Sequence, residues 1–454
     1  MLWLGLVGNA QEITLNDYVE QALKSNIALK QKNYSYEKSL EALKEAKRMY
    51  FPVVSIEARY SRAEGGRTAV VPFGELMNPA YNNLEVINQS LGQANPNYPE
   101  FPDYPEIEDY ELNFVREKEQ ETKVQVLMPV FNSAIIINHL IKKDLAEVEK
   151  ISVDIYKREL VKEVKSAYIN YLRTIQKVEL YKNTLKVVEE NLRNTQSLFE
   201  HQKITQDELF AAKAHVKEIE KYLTEANKDM IMSRAFFNFL LNREYDEEIE
   251  IIPLETLSVT ATSLDSLQAM AVLNREETQQ AERYLSIYSR QIKNQQEQAL
   301  PEISIYASYG YQGEEYSFTN ENDFTQAGIK LSWEIFNSGQ RRAKVQQAKI
   351  DFEISTEKKY ELERKIEMEV LDAYYSMETS RQGVELAKEE VANYRQAHNL
   401  LLNKYKRGMV NHLEYSNALN NLLNAENKLL LANYEYYLKQ VELERIVAEY
   451  NINK

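Results

Sequence analysis

The chain has 454 residues, no cysteine and a formal net charge of −15. The lack of cysteine excludes disulfides and thiolate metal sites, and the acidic balance argues against a nucleic-acid-binding protein, which needs cationic side chains to displace counterions from phosphates. Glycine and proline are rare, at 12 and 10 residues. Neither occurs between Pro129 and Pro253, which indicates long uninterrupted helices.

The first residues carry the pattern of an exported protein. An apolar run at residues 2–7 is followed by Gly8-Asn9-Ala10 and the polar Gln11. This pattern is typical of the end of a secretory signal peptide, so residues 1–10 are predicted to be a partial signal peptide without its basic start. No other segment has the ~18–20 uninterrupted apolar residues of a membrane-spanning helix. A membrane-embedded part would therefore have to be a closed β-barrel.

The rest of the sequence consists of two similar halves, residues 11–253 and 254–454, each with the order helix, strand, strand, long helix, turn, helix. In each half a proline separates the first helix from the first strand, and Phe-Asn-Ser precedes the long helix. The first half is predicted to contain helices at 14–50, 132–200 and 206–242 and strands at 52–61 and 122–131. The second half is predicted to contain helices at 264–299, 337–407 and 411–450 and strands at 301–312 and 326–336.

The halves differ mainly between their strands, where the first half has a long insertion at about residues 62–121. Six of the ten prolines lie in it, together with many Asn, Tyr and acidic residues. This composition predicts a polar, extracellular excursion with one short helix near residues 81–91.

Each predicted strand alternates apolar and polar residues, which gives it one apolar and one polar face. Strands of about nine residues can cross a bilayer when tilted, and aromatic side chains near their ends are typical of membrane barrels. Since four strands cannot close a barrel with a lumen, several chains would have to contribute, and three chains would supply about twelve strands. The residues predicted to face lipid are Val54, Ile56, Tyr60, Val124, Val126, Ile303, Ile305, Tyr309, Ile329, Leu331 and Trp333.

The long helices carry apolar residues at alternating intervals of three and four, as at Val161, Val164 and Tyr168, which is the coiled-coil pattern. Both long helices break at equivalent places, near residues 201–208 and 405–412, and these breaks are predicted to be hairpin tips. Thr205 and Asn411 are the predicted N-caps of the returning helices.

In the order of these elements, the joints at Pro52 and Pro301, the Phe-Asn-Ser segments and the tip Tyr405-Lys406-Arg407-Gly408-Met409-Val410, the sequence resembles the TolC family of outer-membrane efflux proteins. The resemblance implies a mainly α fold with a small β part. It implies a homotrimer in which a twelve-stranded outer-membrane β-barrel is continued by a periplasmic α-helical coiled-coil barrel. The implied partners are outer-membrane lipid, a periplasmic adaptor (membrane fusion) protein and an inner-membrane transporter of the RND, ABC or MFS type.

The resemblance also implies roles for residues at the tips. Glu208 and Tyr405 fall where hydrogen bonds between helices hold the periplasmic entrance shut, while Asp207 and Glu414 are expected to line the pore. A ring of carboxylates there would favour cations. Gln202 departs from the family pattern, which usually has Gly at that position. The residues expected to contact the adaptor are Ile204, Thr205, Arg407, Gly408, Met409 and Val410.

No catalytic, cofactor or metal site is predicted. The five histidines are scattered along the sequence, and there is no HExxH motif, phosphate-binding Gly-rich loop or nucleophile elbow. Two functions remain: the passive exit duct of a tripartite efflux or secretion system, or a coiled-coil scaffold without transport activity. Strands in equivalent positions of both halves favour the duct. The sequence leaves open whether the cargo is a small molecule, a metal ion or a protein.

Overall fold

The computed structural model describes residues 14–254 and 263–452. Within these residues the chain is mostly helical and divides into two compact units. One unit, largely helical, comprises the described parts of Met1–Ala46, Ile137–Gln296 and Ser338–Lys454. The other, which contains the sheets, comprises Lys47–Ile136 and Glu297–Asn337. The predicted signal-peptide remnant at residues 1–10 lies outside the described residues.

The described residues form nine helices and six strands. The helices are α1 (Leu15–Ser25), α2 (Ile27–Arg48), α3 (Phe73–Ala94), α4 (Ser133–Glu200), α5 (Gln206–Leu240), α6 (Leu264–Asn274), α7 (Glu276–Glu297), α8 (Gln340–Lys406) and α9 (His412–Ile446). The strands are β1 (Val53–Arg62), β2 (Thr68–Val71), β3 (Tyr110–Asn113), β4 (Lys118–Phe131), β5 (Glu302–Gly313) and β6 (Asp323–Ser332). No helix in this set combines the length and the apolar character that crossing a membrane requires.

The two long helices, α4 and α8, have 68 and 67 residues and are each about 100 Å long at ~1.5 Å per residue. Their apolar positions form the cores of the helical unit. Near its middle, Tyr18 of α1, Tyr168 of α4 and Phe237 of α5 are buried together, and the rings of Tyr18 and Phe237 meet edge to face at 5.2 Å. A second core, formed by the second repeat, packs Leu267 of α6 against Ile366 of α8.

The first helix of each repeat is broken, whereas the sequence predicted single helices over 14–50 and 264–299. Asn26 separates α1 from α2, with ψ 126°. Its side-chain amide donates to the carbonyl of Leu240 at 2.9 Å, and its Oδ1 accepts from the amide of Leu29. Arg275 separates α6 from α7, with ψ 136°. At Asn26 the break is stabilised by a contact with a distant helix, which helical periodicity does not reveal.

In the sheet unit, four strands form an antiparallel sheet in the order β1-β4-β5-β6. β4 has 14 residues and begins before the predicted strand at 122–131. β6 ends at Ser332, whereas the prediction extended to 336, and α8 begins at Gln340 rather than at 337. The reason for the later helix start is the backbone: Ser338 and Gly339 both have positive φ, at 54° and 81°, so neither can belong to a right-handed helix.

The insertion between β1 and β4 is more ordered than its composition predicted. The short helix predicted near 81–91 is the 22-residue α3, which contains Pro79. Segment 105–109 stabilises the start of this helix: Asp109 Oδ1 accepts from the amide of Gly74, and the Asn78 side chain exchanges two 2.9 Å hydrogen bonds with the backbone of Ile107. β2 and β3 pair beside it as a small second sheet.

Candidate functional sites: the helical tips and the apolar sheet face

The two hairpin tips have the same backbone geometry, although only one contains glycine. At the end of α8, the amides of Gly408 and Met409 donate to the carbonyls of Tyr405 and Lys404. At the end of α4, the amides of Gln202 and Lys203 donate in the same pattern to Phe199 and Leu198. These paired bonds satisfy helix-terminal carbonyls and require a left-handed residue. Gly408 has φ 70° and Gln202 has φ 57°, so the first tip forms the turn without the usual glycine.

The helices that return from the tips begin differently. Asn411 is the N-cap of α9, and its Oδ1 accepts from the amide of Glu414 at 2.9 Å. Thr205 occupies the N-cap position of α5, but its side chain accepts no capping hydrogen bond from the helix. The Thr205 hydroxyl instead bonds to the Asp207 carboxylate, which, with nearby backbone amides, holds the pKa of Asp207 below its usual value.

Tyr405 lies at the centre of the tips' interior. It is 3% exposed, and its hydroxyl is 3.0 Å from the Thr195 Oγ1 of α4. Its ring stacks on Tyr415 of α9, with centroids 5.0 Å apart and planes 12° apart. Burial raises the pKa of Tyr415 to about 12. Tyr405 therefore connects three helices by a hydrogen bond and a ring contact.

Of the four residues predicted to form a gate, the structure brings Glu208 and Tyr405 close together. Glu208 Oε2 accepts from the backbone amide of His412 at 3.4 Å, which links the first turns of α5 and α9. Burial raises the pKa of Tyr405, and the charge of nearby Glu208 raises it further. Asp207 and Glu414 are exposed and lie outside this group.

The residues predicted to contact an adaptor divide by exposure. Ile204 and Val410 are half-buried, and Val410 packs against the apolar cluster that contains Tyr405 and Tyr415. Met409 is 68% exposed. The other exposed members are Thr205, Arg407 and Gly408.

Three histidines that the sequence gave no reason to group are buried in this region. His215 of α5, His398 of α8 and His412 of α9 are 6%, 7% and 3% exposed. The Tyr415 ring contacts both His398 and His412, at centroid distances of 5.7 and 6.4 Å. The heptad position of His398, between Val391 and Tyr405 on one helix face, was the available indication that it is buried.

All the strand residues predicted to face lipid share one face of the four-stranded sheet. Across β1 and β4, Val54 is paired with Val126 and Ile56 with Val124. The same face continues through Tyr309 and Ile305 of β5 to β6. The remaining strand members are Tyr60, Ile303, Ile329 and Leu331. Trp333 follows β6, and its Nε1 donates to the carbonyl of Ala299 at 2.9 Å.

This apolar face is solvent-exposed in the single chain, with Ile56 and Ile329 each 75% exposed. The opposite face carries charge: Lys123 lies within ion-pair distance of Glu57 and Glu121, and Arg59 lies 3.3 Å from Glu121. A sheet with a polar face and an uncovered apolar face needs an apolar environment on one side.

The decisive comparison concerns the second repeat. Residues 267–449 match the family model described as "Outer membrane efflux protein". This part of the chain is therefore similar to outer membrane efflux proteins. No curated protein sequence matches the chain significantly.

Solved structures extend the likeness to nearly the whole chain. The CmeC outer membrane channel of Campylobacter jejuni is 15% identical, with a TM-score of 0.73 over 97% of this chain and 87% of that one. The outer membrane protein VceC of Vibrio cholerae is 14% identical, with a TM-score of 0.70 over 95% of each chain. The open state of the MtrE channel of Neisseria gonorrhoeae is 16% identical, with a TM-score of 0.67 over 95% of this chain and 88% of that one. At these identities the likeness establishes a common fold.

Proposed function

We propose that the chain is one subunit of a trimeric outer-membrane channel that serves as the passive exit duct of a tripartite efflux or secretion system. The observation that carries the proposal is the four-stranded sheet. Its outer strands, β1 and β6, are each paired on one side only within the described residues, and its apolar face is uncovered. Unpaired edges are not tolerated in lipid. Three copies joined edge to edge would give a closed barrel of about twelve strands.

The helical unit fits the same proposal. In a trimer, α4 and α8 with their returning helices would continue the barrel as a helical tube in the periplasm, and the tips would close or open its entrance. Asp207, Glu208, Tyr405 and Glu414 are the proposed gate residues. The proposed adaptor contacts are Ile204, Thr205, Arg407, Gly408, Met409 and Val410. An adaptor and an inner-membrane pump would open the tips, and the pump would select the cargo.

Thiol cross-linking tests the closure, because the chain has no cysteine of its own. We expect the double variant Ser55→Cys/Ser332→Cys, with one thiol on each edge strand, to form covalent trimers in outer-membrane fractions treated with a short bifunctional maleimide. Each single variant is the matched control and should stay monomeric on denaturing gels. A double variant that also stays monomeric, in a protein that elutes as a monomer without detergent, would refute the closed barrel.

Conductance separates the duct from a scaffold. The purified protein should form stable single-channel steps in planar bilayers, whereas a scaffold would form none. The family-model match of residues 267–449 and the alternation of the strands support the duct over the scaffold.

A further inference from the structure

Three of the chain's five histidines meet inside the tips, and each belongs to a different helix. His215 (α5), His398 (α8) and His412 (α9), together with Tyr405 and Tyr415, are called here the tip cluster. The cluster is enclosed by apolar side chains, which include Val188, Val216, Ile219 and Leu419. Histidine is the side chain that ordinarily changes charge between pH 5 and 8, so three buried copies make this region sensitive to protons.

The packed arrangement provides little compensation for a positive charge on these rings. The Nε2 atoms of His215 and His398 are buried and have no hydrogen-bond partner among the described residues. The Nδ1 of His412 has only a long, 3.5 Å contact with the Tyr405 hydroxyl. No ion pair within 4 Å joins any of the three histidines to a carboxylate in the described part of the chain.

Carboxylates from α4, α5 and α9 face the cluster, and α8 contributes the side chain of Asn399. Glu190 of α4 faces Tyr415, and Glu208 of α5 faces Tyr405. Glu426 of α9 faces His398 and partly offsets the effect of burial on its pKa, as does a hydrogen bond that the His398 ring donates to the Asn399 side chain. Burial is the larger effect for His398, so its pKa is lowered. Burial also lowers the pKa of His412, and nearby His215 lowers it further.

We propose that the tip cluster is an acid-sensitive lock, in which protonation of its histidines loosens the packing of the two hairpin tips against each other. Two protonated histidines in this apolar interior would be desolvated and would repel each other. Loosening would return both rings to water and remove this cost. That the lock controls the entrance of a duct rests on the proposed function; the loosening itself does not.

The direction of the pH effect follows from where the proton binds better. In the loosened state His398 and His412 regain the ordinary histidine pKa of about 6.5, whereas in the packed state burial lowers the pKa of both. The stability of the packed state relative to the loosened state is therefore greatest above about pH 6.5 and decreases as the pH falls below that value. Each of these two histidines can shift the equilibrium by up to about tenfold per pH unit until its packed-state pKa is reached.

Hydrogen exchange of the full-length protein in detergent, followed by mass spectrometry, tests the lock. Peptides covering about residues 195–216 and 398–416 are compared at about pH 7.5 and 5.5, corrected for the chemical exchange rate and referenced to residues 160–172 in the middle of α4. We expect tip opening to increase by about tenfold to a hundredfold at the lower pH. Unchanged tip protection in the wild-type protein would overturn the proposal, whatever the variants do.

Variants assign the effect to the cluster. His398→Gln/His412→Gln, which removes the two histidines whose pKa is lowered by burial, should abolish most of the acid response. The matched control is His201→Gln, because His201 is exposed at the first tip and should not change the response. A double variant that keeps the full response would overturn the proposal.

Bilayer conductance at about pH 7.5 tests the proposed channel function separately. If the tips loosen in acid but the protein forms no pore, the acid-sensitive packing is supported and the channel function is refuted. If the protein forms a pore but its tips do not loosen in acid, the channel function is supported and the acid-sensitive packing is refuted.

Discussion

Lys165 of α4 and Glu444 of α9 form a buried ion pair in the helical unit. The Lys165 Nζ lies 2.6 and 2.7 Å from the two carboxylate oxygens, and the side chains are only 6% and 10% exposed. The ring of Tyr450 lies beside the ammonium, at 4.7 Å. Removing one member of such a pair leaves an uncompensated buried charge, which is more damaging than removing both.

We therefore expect Glu444→Gln to lower the free energy of unfolding by about 3–5 kcal/mol, measured by denaturant titration in detergent. Lys165→Met/Glu444→Leu should recover most of this loss. The control is Lys24→Gln, which breaks the exposed Lys24–Glu20 pair and should change stability by less than about 1 kcal/mol. Equal effects at the two sites would show that burial does not decide the strength of these pairs.

The hydrogen bond between Tyr405 and Thr195 should be measurable by a double-mutant cycle. Tyr405→Phe and Thr195→Val each remove one hydroxyl of the 3.0 Å contact, and each should weaken the tip packing by about 1 kcal/mol. If the two hydroxyls stabilise the tips through their mutual hydrogen bond, the double variant loses less stability than the sum of the losses in the two single variants. Hydrogen exchange of the tip peptides gives the local free energies. Strictly additive losses would mean that the contact contributes nothing.

The two tips should respond in opposite ways to exchange of their left-handed residue. Gln202→Gly relieves a side chain held at positive φ and should stabilise the protein by about 1 kcal/mol. Gly408→Ala introduces the same backbone strain and should destabilise the protein by a similar amount. An added Cβ at this position would meet no other atom, so the strain is the only expected effect.

Thermal unfolding followed by circular dichroism measures both variants, with Gly383→Ala as the control inside α8. Gly383 also has open space around its Cβ position, but it lies in a right-handed helix, where alanine should stabilise by up to about 1 kcal/mol. If Gly408→Ala also stabilises, the left-handed turn at that tip is refuted.

Glu414 should contribute to ion selectivity if three copies surround the proposed entrance. Its side chain is exposed in the first turn of α9, so threefold symmetry would concentrate negative charge. We expect Glu414→Gln to reduce the preference for cations, read from the reversal potential under a salt gradient. Glu389→Gln, an exposed change within α8, should leave selectivity as it was. Unchanged selectivity in Glu414→Gln would remove this residue from the pore lining.

Much of the architecture could be predicted from the sequence because it follows from local patterns. The fold class, mainly α with a small β part, is confirmed. Alternation was sufficient to assign Val54, Ile56 and Val124 to one face, since a strand turns over at every residue. The tip at Gly408 was visible because glycine is favoured where φ is positive. The equivalent turn at Gln202 was not, because nothing in glutamine itself favours that conformation.

What the sequence determined by itself is therefore the repeated order of elements, the two long helices and the apolar face of the sheet. These depend on periodicity and on residues close together in the chain. The tertiary structure decided the break at Asn26, the length of α3 and the meeting of His215, His398 and His412. Each of these depends on partners far away in sequence, such as the Leu240 carbonyl that accepts from Asn26. The pairing of polar groups on distant helices is a property of the packed chain, and no local pattern encodes it.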